Sequence, residues 1–121
     1  MHKTPINLSG STRTEHDLIG EMKIPAACYF GIQTLRAVKN FGISRSKLYH
    51  YPQLIRGLMD VKAAAALANK KLGLLESTIA DAIVEACNEI KDGKLHDQFV
   101  VDMVQGGAGT STNMNANEVI A

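Results

Sequence analysis

PQLIRGLMDVKAAAALANKK, residues 52–71, is the clearest helix in the sequence. Leu54, Ile55, Leu58, Val61, Ala65 and Ala68 recur at the three-to-four-residue spacing that lines one face of a helix. Pro52 suits the first helical turn, where its missing N–H costs nothing. The run Ala63 to Ala66 has high helix propensity and little bulk, so a second helix can approach closely. Lys70 and Lys71 fall in the last turn, where the helix dipole favours cations. Gly73 follows as a stop signal.

Outward from this helix, the rest of the chain reads as further short helices around one hairpin. Ser77 stands where a hydroxyl can cap a second helix, worth about 1 kcal/mol. Ile79, Ile83, Ala86, Cys87 and Ile90 continue it at helical spacing, and Gly93 ends it. The short connection predicts an antiparallel pair. Upstream, Thr34 can cap a short helix running through Phe41, with Gly42 as its stop. Tyr49 to Pro52 reads as a loop. EHDLIGEMKIP, residues 15–25, sets two short runs around Gly20 and predicts a small β-hairpin. Residues 1–14 mix proline, serine, glycine and threonine without periodicity and read as a flexible tail. KLHDQFVVDMVQ, residues 94–105, reads as an extended or irregular linker, and a last helix begins at about Ser111. The expected fold is mainly α, one domain over residues 15–121. The last helix has no C-cap in the sequence, so the domain reads as incomplete, truncated at the beginning of a long helix.

Bulk properties narrow the function. The chain has 121 residues, room for one ordinary domain. Hydrophobic residues form 45%, which excludes a wholly disordered chain. Thirteen Lys plus Arg against twelve Asp plus Glu leave a net charge of +1, without the basic excess of a nucleic-acid binder. No apolar run approaches the ~20 residues of a membrane span. The polar start lacks the apolar core of a secretory signal, so the expected location is cytoplasmic. Cys28 and Cys87 share no motif and read as small buried hydrophobes of a reducing compartment.

One stretch carries chemistry. GGAGTST, residues 106–112, places Gly106, Gly107 and Gly109 just before a helix start rich in hydroxyls. The first helical turn leaves N–H groups unpaired, and with the dipole these attract an anion. Glycine lets the backbone approach a ligand closely. Thr110, Ser111 and Thr112 add hydroxyl donors. Two readings stand at this level: a small-anion pocket, or a tight turn with an ordinary hydroxyl cap, which is the commoner use of these residues. No lysine follows the glycines, so this is not a P-loop. Thr112 stands where a dinucleotide fingerprint needs glycine. His2, His16, His50 and His96 lack metal-ligand spacing, so no metal site is expected. Asn113, Asn115 and Asn117 spread over different helix faces, and Glu118 could pair with a neighbouring helix. No nucleophile–base pair is evident.

QGGAGTSTNMNANEVIA, residues 105–121, closely resembles the first signature region of the aspartase/fumarase superfamily. HDLIGEMKIPAACYFGIQTLRAVKNF, VKAAAALANKKLGLL and GKLHDQFVVD resemble further segments in the family's order, so the likeness covers residues 15–121. Class II fumarases usually carry Gly-Ser-Gly-Thr followed by glutamine in this loop. Ala108, and Ser111 after Thr110, are similar to the aspartase subgroup instead, as are Asp97–Phe99 and Gly106–Gly107.

The resemblance implies the N-terminal helical domain of a lyase that reversibly deaminates L-aspartate to fumarate and ammonia without an organic cofactor; a class II fumarase fragment, hydrating fumarate to L-malate, and a non-catalytic helical interaction module are the alternatives. It implies that Thr110, and by adjacency Ser111, bind a substrate carboxylate, with Gly106, Gly107 and Gly109 shaping the turn. It also implies a full-length homotetramer whose active sites are shared by three subunits, with neither membrane nor nucleic acid as partner. The family's loop bearing the catalytic base has no counterpart in these residues, so no catalytic residue is expected in this chain and the isolated chain is expected to be inactive. An exposed apolar stub from Met114 to Ile120 is expected to favour artificial dimers.

Overall fold

A computed structural model describes residues 10–121. Residues 1–9, most of the expected tail, lie outside the described residues. The hairpin expected around Gly20 is present: β1 (Thr12–Asp17) pairs antiparallel with β2 (Gly20–Pro25), in the register Asp17 to Gly20 and Thr12 to Pro25. β1 therefore begins inside the segment read as tail. Arg13, Glu15 and Asp17 alternate inward along β1 while Thr12, Thr14 and His16 face solvent. This is the period-two pattern of a half-covered strand. Asp17 closes the turn, its Oδ1 accepting the N–H groups of Ile19 at 2.9 Å and Gly20 at 3.1 Å.

Four helices follow: α1 (Ile32–Asn40), α2 (Pro52–Lys71), α3 (Ser77–Lys91) and α4 (Thr110–Ile120). Short 3-10 turns at Leu48–His50 and His96–Gln98 punctuate the connections. The segment Tyr49 to Pro52, read as loop, thus contains the end of one of these turns. α2 has the predicted bounds, with Pro52 in its first turn and the stop residue Gly73 at φ +72°. Lys70 near the end of α2 meets Asp81 near the start of α3 at 2.6 Å, and Asp60 in the first half of α2 meets Lys91 at the end of α3. These crossed pairs establish the antiparallel packing expected of α2 and α3.

The buried face of α2 differs from the predicted stripe. Ile55, Met59 and Ala66 are buried, whereas Leu54 and Val61 are exposed. The helix is apolar on more than one side, and its neighbours rather than its period select which side packs. One core holds the elements together, joining Ile24, Phe30, Leu35, Leu48, Ile55, Met59, Cys87, Ile90, Phe99, Val101 and Val119. Phe99 and Val101 anchor the predicted linker, which therefore runs through the core's edge rather than over the surface. Cys28 and Cys87 are both free, Cys87 buried and Cys28 half-buried.

Three local expectations are corrected. Thr34 does not cap α1: it is the third helical residue, and its hydroxyl is buried without a partner. The cap residue is Gly31, which has no side chain to offer. Ser77 is the first residue of α3 rather than its cap, and Glu76 precedes it. The Met114–Ile120 stub is not exposed: Ala116 and Val119 are buried and Ile120 packs on the core. α4 lies against α1, α2 and α3, which cover its apolar side.

Candidate functional site

The glycine-rich stretch forms a tight loop directly before α4. Gly107, Ala108 and Gly109 have φ of 81°, 53° and 90°, three successive left-handed residues. Glycine adopts this region without penalty, whereas each L side chain there costs about 1–2 kcal/mol. Ala108 carries that strain, which a surrounding structure must impose. Gly106 differs. Its φ is not left-handed, and an added Cβ would rest 3.5 Å from the Phe41 ring, ordinary contact.

Two side chains hold the loop in place, and neither was singled out from sequence. Asp102 is buried; its Oδ1 accepts the Ser44 hydroxyl at 2.7 Å and Val104 N–H at 2.8 Å, and its Oδ2 accepts Ser44 N–H at 2.9 Å. Lys47 Nζ lies 3.6 Å from Oδ2. Burial pushes the Asp102 carboxyl up, but the Ser44 hydroxyl, the two N–H donors and the Lys47 charge together outweigh it and hold it below the usual aspartate value. Gln105 brackets Thr112, accepting its N–H and donating to its hydroxyl, both at 2.9 Å, and also donates to the Asp102 carbonyl at 2.8 Å. Five residues before the helix start, Gln105 acts as a side-chain cap.

These contacts redraw the predicted anion cradle. Thr110 N–H donates to the Gly107 carbonyl at 3.1 Å, Thr112 N–H to Gln105, and Asn113 N–H to the Gly109 carbonyl at 3.0 Å. Among the described residues, Ser111 N–H is the first-turn donor of α4 left without a partner. The Thr110 hydroxyl is exposed and donates to the Gly107 carbonyl at 2.6 Å, so it must rotate to donate elsewhere. Ser111 is half-buried and lines a groove of about 750 Å³.

The rest of the groove's lining comes from the hairpin, with His16, Asp17, Leu18 and Ile19, and from α1 and its end, with Gln33, Arg36, Ala37, Asn40 and Phe41. Arg36 grips Asp17 through two bonds, Nε to Oδ2 at 2.8 Å and Nη2 to Oδ1 at 2.9 Å. The Arg36 hydrogen bond holds the Asp17 carboxyl below its usual value. The groove joins the Ser111 hydroxyl with amide groups and the Asp17–Arg36 ion pair, alongside the apolar Leu18, Ile19, Ala37 and Phe41. His96 is not part of it; its Nε2 lies 2.7 Å from the Ile90 carbonyl. Asn115 is structural: its Oδ1 accepts Val100 N–H at 2.9 Å and its Nδ2 donates to the Gln98 carbonyl at 2.9 Å.

The loop and the α1 side of the groove fall within residues 20–121, which match the model of a lyase family. The chain belongs to this lyase family. It is 60% identical over 109 residues to an aspartate ammonia-lyase of Helicobacter pylori strain J99, covering 90% of this chain and 23% of that protein. An aspartate ammonia-lyase of Escherichia coli K12 is 50% identical over 115 residues, covering 94% of this chain and 24% of that protein. Among solved structures, a Brucella melitensis protein described as fumarate lyase:delta crystallin superposes with a TM-score of 0.90 at 60% identity, over 92% of this chain and 26% of that one. A class II fumarase of Schistosoma mansoni superposes at 0.85 with 39% identity, over 91% of this chain and 23% of that one. The chain thus spans about a quarter of the length of the relatives it matches. Its resemblance to the aspartase/fumarase superfamily and the mainly helical fold with a short hairpin are both borne out.

Proposed function

We propose that this chain is the N-terminal part of an aspartate ammonia-lyase, and that its glycine loop with Thr110 and Ser111 holds one carboxylate of the dicarboxylate substrate. The carrying observation is the start of α4, where an open Ser111 N–H and two hydroxyls stand at a helix N-terminus beside a groove walled by Arg36. Identities of 50–60% to aspartate ammonia-lyases support that substrate over malate, because the class II fumarase is 39% identical.

The chemistry fits this placement. Removing the proton next to the side-chain carboxylate of L-aspartate spreads negative charge onto that carboxylate. Donors already fixed where the charge develops stabilise it without reorganising. Ser111 N–H and the dipole of α4 are such donors, and the Thr110 hydroxyl joins them once it turns away from Gly107. The base that takes the proton lies outside these residues. The whole enzyme is a cytoplasmic homotetramer in this reading, with no organic cofactor, and residues 15–121 form part of its first domain.

The test is the open reading frame encoding this chain, expressed through to its stop codon and assayed with and without Thr110→Ala. The reading expects fumarate from L-aspartate and a loss of about 10²–10³ in kcat for the variant, as for removal of one oxyanion donor. Full activity in Thr110→Ala would remove the loop from the site.

A further inference from the structure

Ser111 and Glu118 are seven residues apart on α4, two turns, and so share one helix face. That face is turned to α1. Glu118 Oε1 accepts the N–H groups of Gln33 at 2.9 Å and Thr34 at 3.2 Å, two of the donors that the first turn of α1 leaves unpaired. Glu15, reaching in from β1, takes the next one: its Oε1 accepts Ile32 N–H at 3.1 Å. α1 has no side-chain cap of its own, so carboxylates from two other elements cap it.

Gly31 sits where they converge. Its backbone is extended, with φ −110° and ψ −162°, which any residue adopts, so conformation does not demand glycine there. Space does. An added Cβ would lie 2.8 Å from both Glu118 Cδ and Glu15 Oε1, and closer still to Glu118 Oε2. Glu118 Oε2 is buried without a partner. Burial pushes the Glu118 carboxyl up and the Glu15 charge adds to this, against the pull of the α1 N–H donors.

The consequence lies in the groove. Ser111 on α4 forms one wall, and Gln33, Arg36 and Asn40 on α1 form part of the other. The Glu118 contact is a polar tie between these two helices.

We propose that Glu118 is a positioning residue: it latches α4 to the N-terminus of α1, fixing Ser111 opposite Arg36, and Gly31 is glycine because the latch fills the space of a side chain. The role in turnover rests on the substrate reading above; the latch itself does not. A small error in the placement of fixed donors is enough to cost about 10²-fold in rate.

Two readouts test it. In the product of the full reading frame, amide hydrogen exchange should show Gln33 and Thr34 protected in wild type and Glu118→Gln, which keeps a neutral acceptor, and unprotected in Glu118→Ala. In the product of the full reading frame, Glu118→Ala should lower kcat/KM for L-aspartate about 10–100-fold, Glu118→Gln should retain most of it, and Gly31→Ala should resemble Glu118→Ala. Met59→Ala, a core variant on α2 that removes no latch atom, is the control for lost stability alone. Unchanged protection in Glu118→Ala, or a kcat/KM no lower than that of Met59→Ala, would overturn the proposal. Absence of wild-type turnover would count against the substrate reading, and the exchange data would still decide the latch.

Discussion

Asp102 and Ser44, distant in sequence, form the closest polar tie at the base of the glycine loop, the Ser44 hydroxyl donating to the buried Asp102 carboxylate at 2.7 Å. The loop can hold three successive left-handed residues because its entry is fixed there. Removing the carboxylate strands several buried donors and leaves Lys47 without its partner. Asp102→Ala should therefore cost on the order of 3 kcal/mol, read as a lower urea midpoint at neutral pH.

The same group gives the fold a defined acid sensitivity. Its folded carboxyl titrates below the ordinary 3.8 of an aspartate. Between the folded and unfolded values the unfolded chain binds the extra proton, so stability falls as pH falls. The Asp102 contribution is present above 3.8 and lost as pH drops through the folded value. Asp102→Asn should flatten that acid limb in urea titrations at stepped pH; an unaltered limb would mean that other carboxylates set it.

Glycine substitutions should separate the three loop positions. Gly107→Ala and Gly109→Ala force a side chain into left-handed backbone and should each cost about 1–2 kcal/mol. Gly106→Ala meets only ordinary contact with Phe41 and should stay within about 0.5 kcal/mol of wild type. Thermal unfolding of the three variants checks the order.

In the core, Met59→Ala should cost about 2–5 kcal/mol, since Met59 is fully buried beneath α2. Val61→Ala, on the exposed side of the same helix, should cost less than about 0.5 kcal/mol. The predicted stripe placed Val61 inside and omitted Met59, so this pair distinguishes the observed face from the expected one.

What the sequence made legible was local. Periodicity over Pro52–Lys71 and Ile79–Ile90, the glycine stops and the runs flanking Gly20 each act within a few residues, and the structure keeps the helices, their ends and the hairpin, although the face of α2 that packs is not the predicted stripe. The hydroxyl-rich helix start at Thr110 was legible for the same reason. What failed depended on partners distant in sequence. Thr34 and Ser77 looked like caps because nearby hydroxyls are the usual choice, yet α1 takes its cap from Glu118 and Glu15. Glu118 had been read as able to pair with a neighbouring helix, and it does so through backbone N–H groups rather than a cation. Asp102 and Gln105 carried no local signal, because each becomes meaningful only when the chain brings Ser44 or Thr112 beside it.

The isolated 121-residue chain should release no fumarate from L-aspartate, because the reading places the base outside it; measurable release would show that the chain contains its own base.

The most direct test of the central claim is fumarate formation, followed by ultraviolet absorbance, from the product of the full reading frame given L-aspartate and, separately, L-malate. The expected result is fumarate from L-aspartate and none from L-malate. Fumarate from L-malate alone would contradict it and make the loop's dicarboxylate site that of a fumarase.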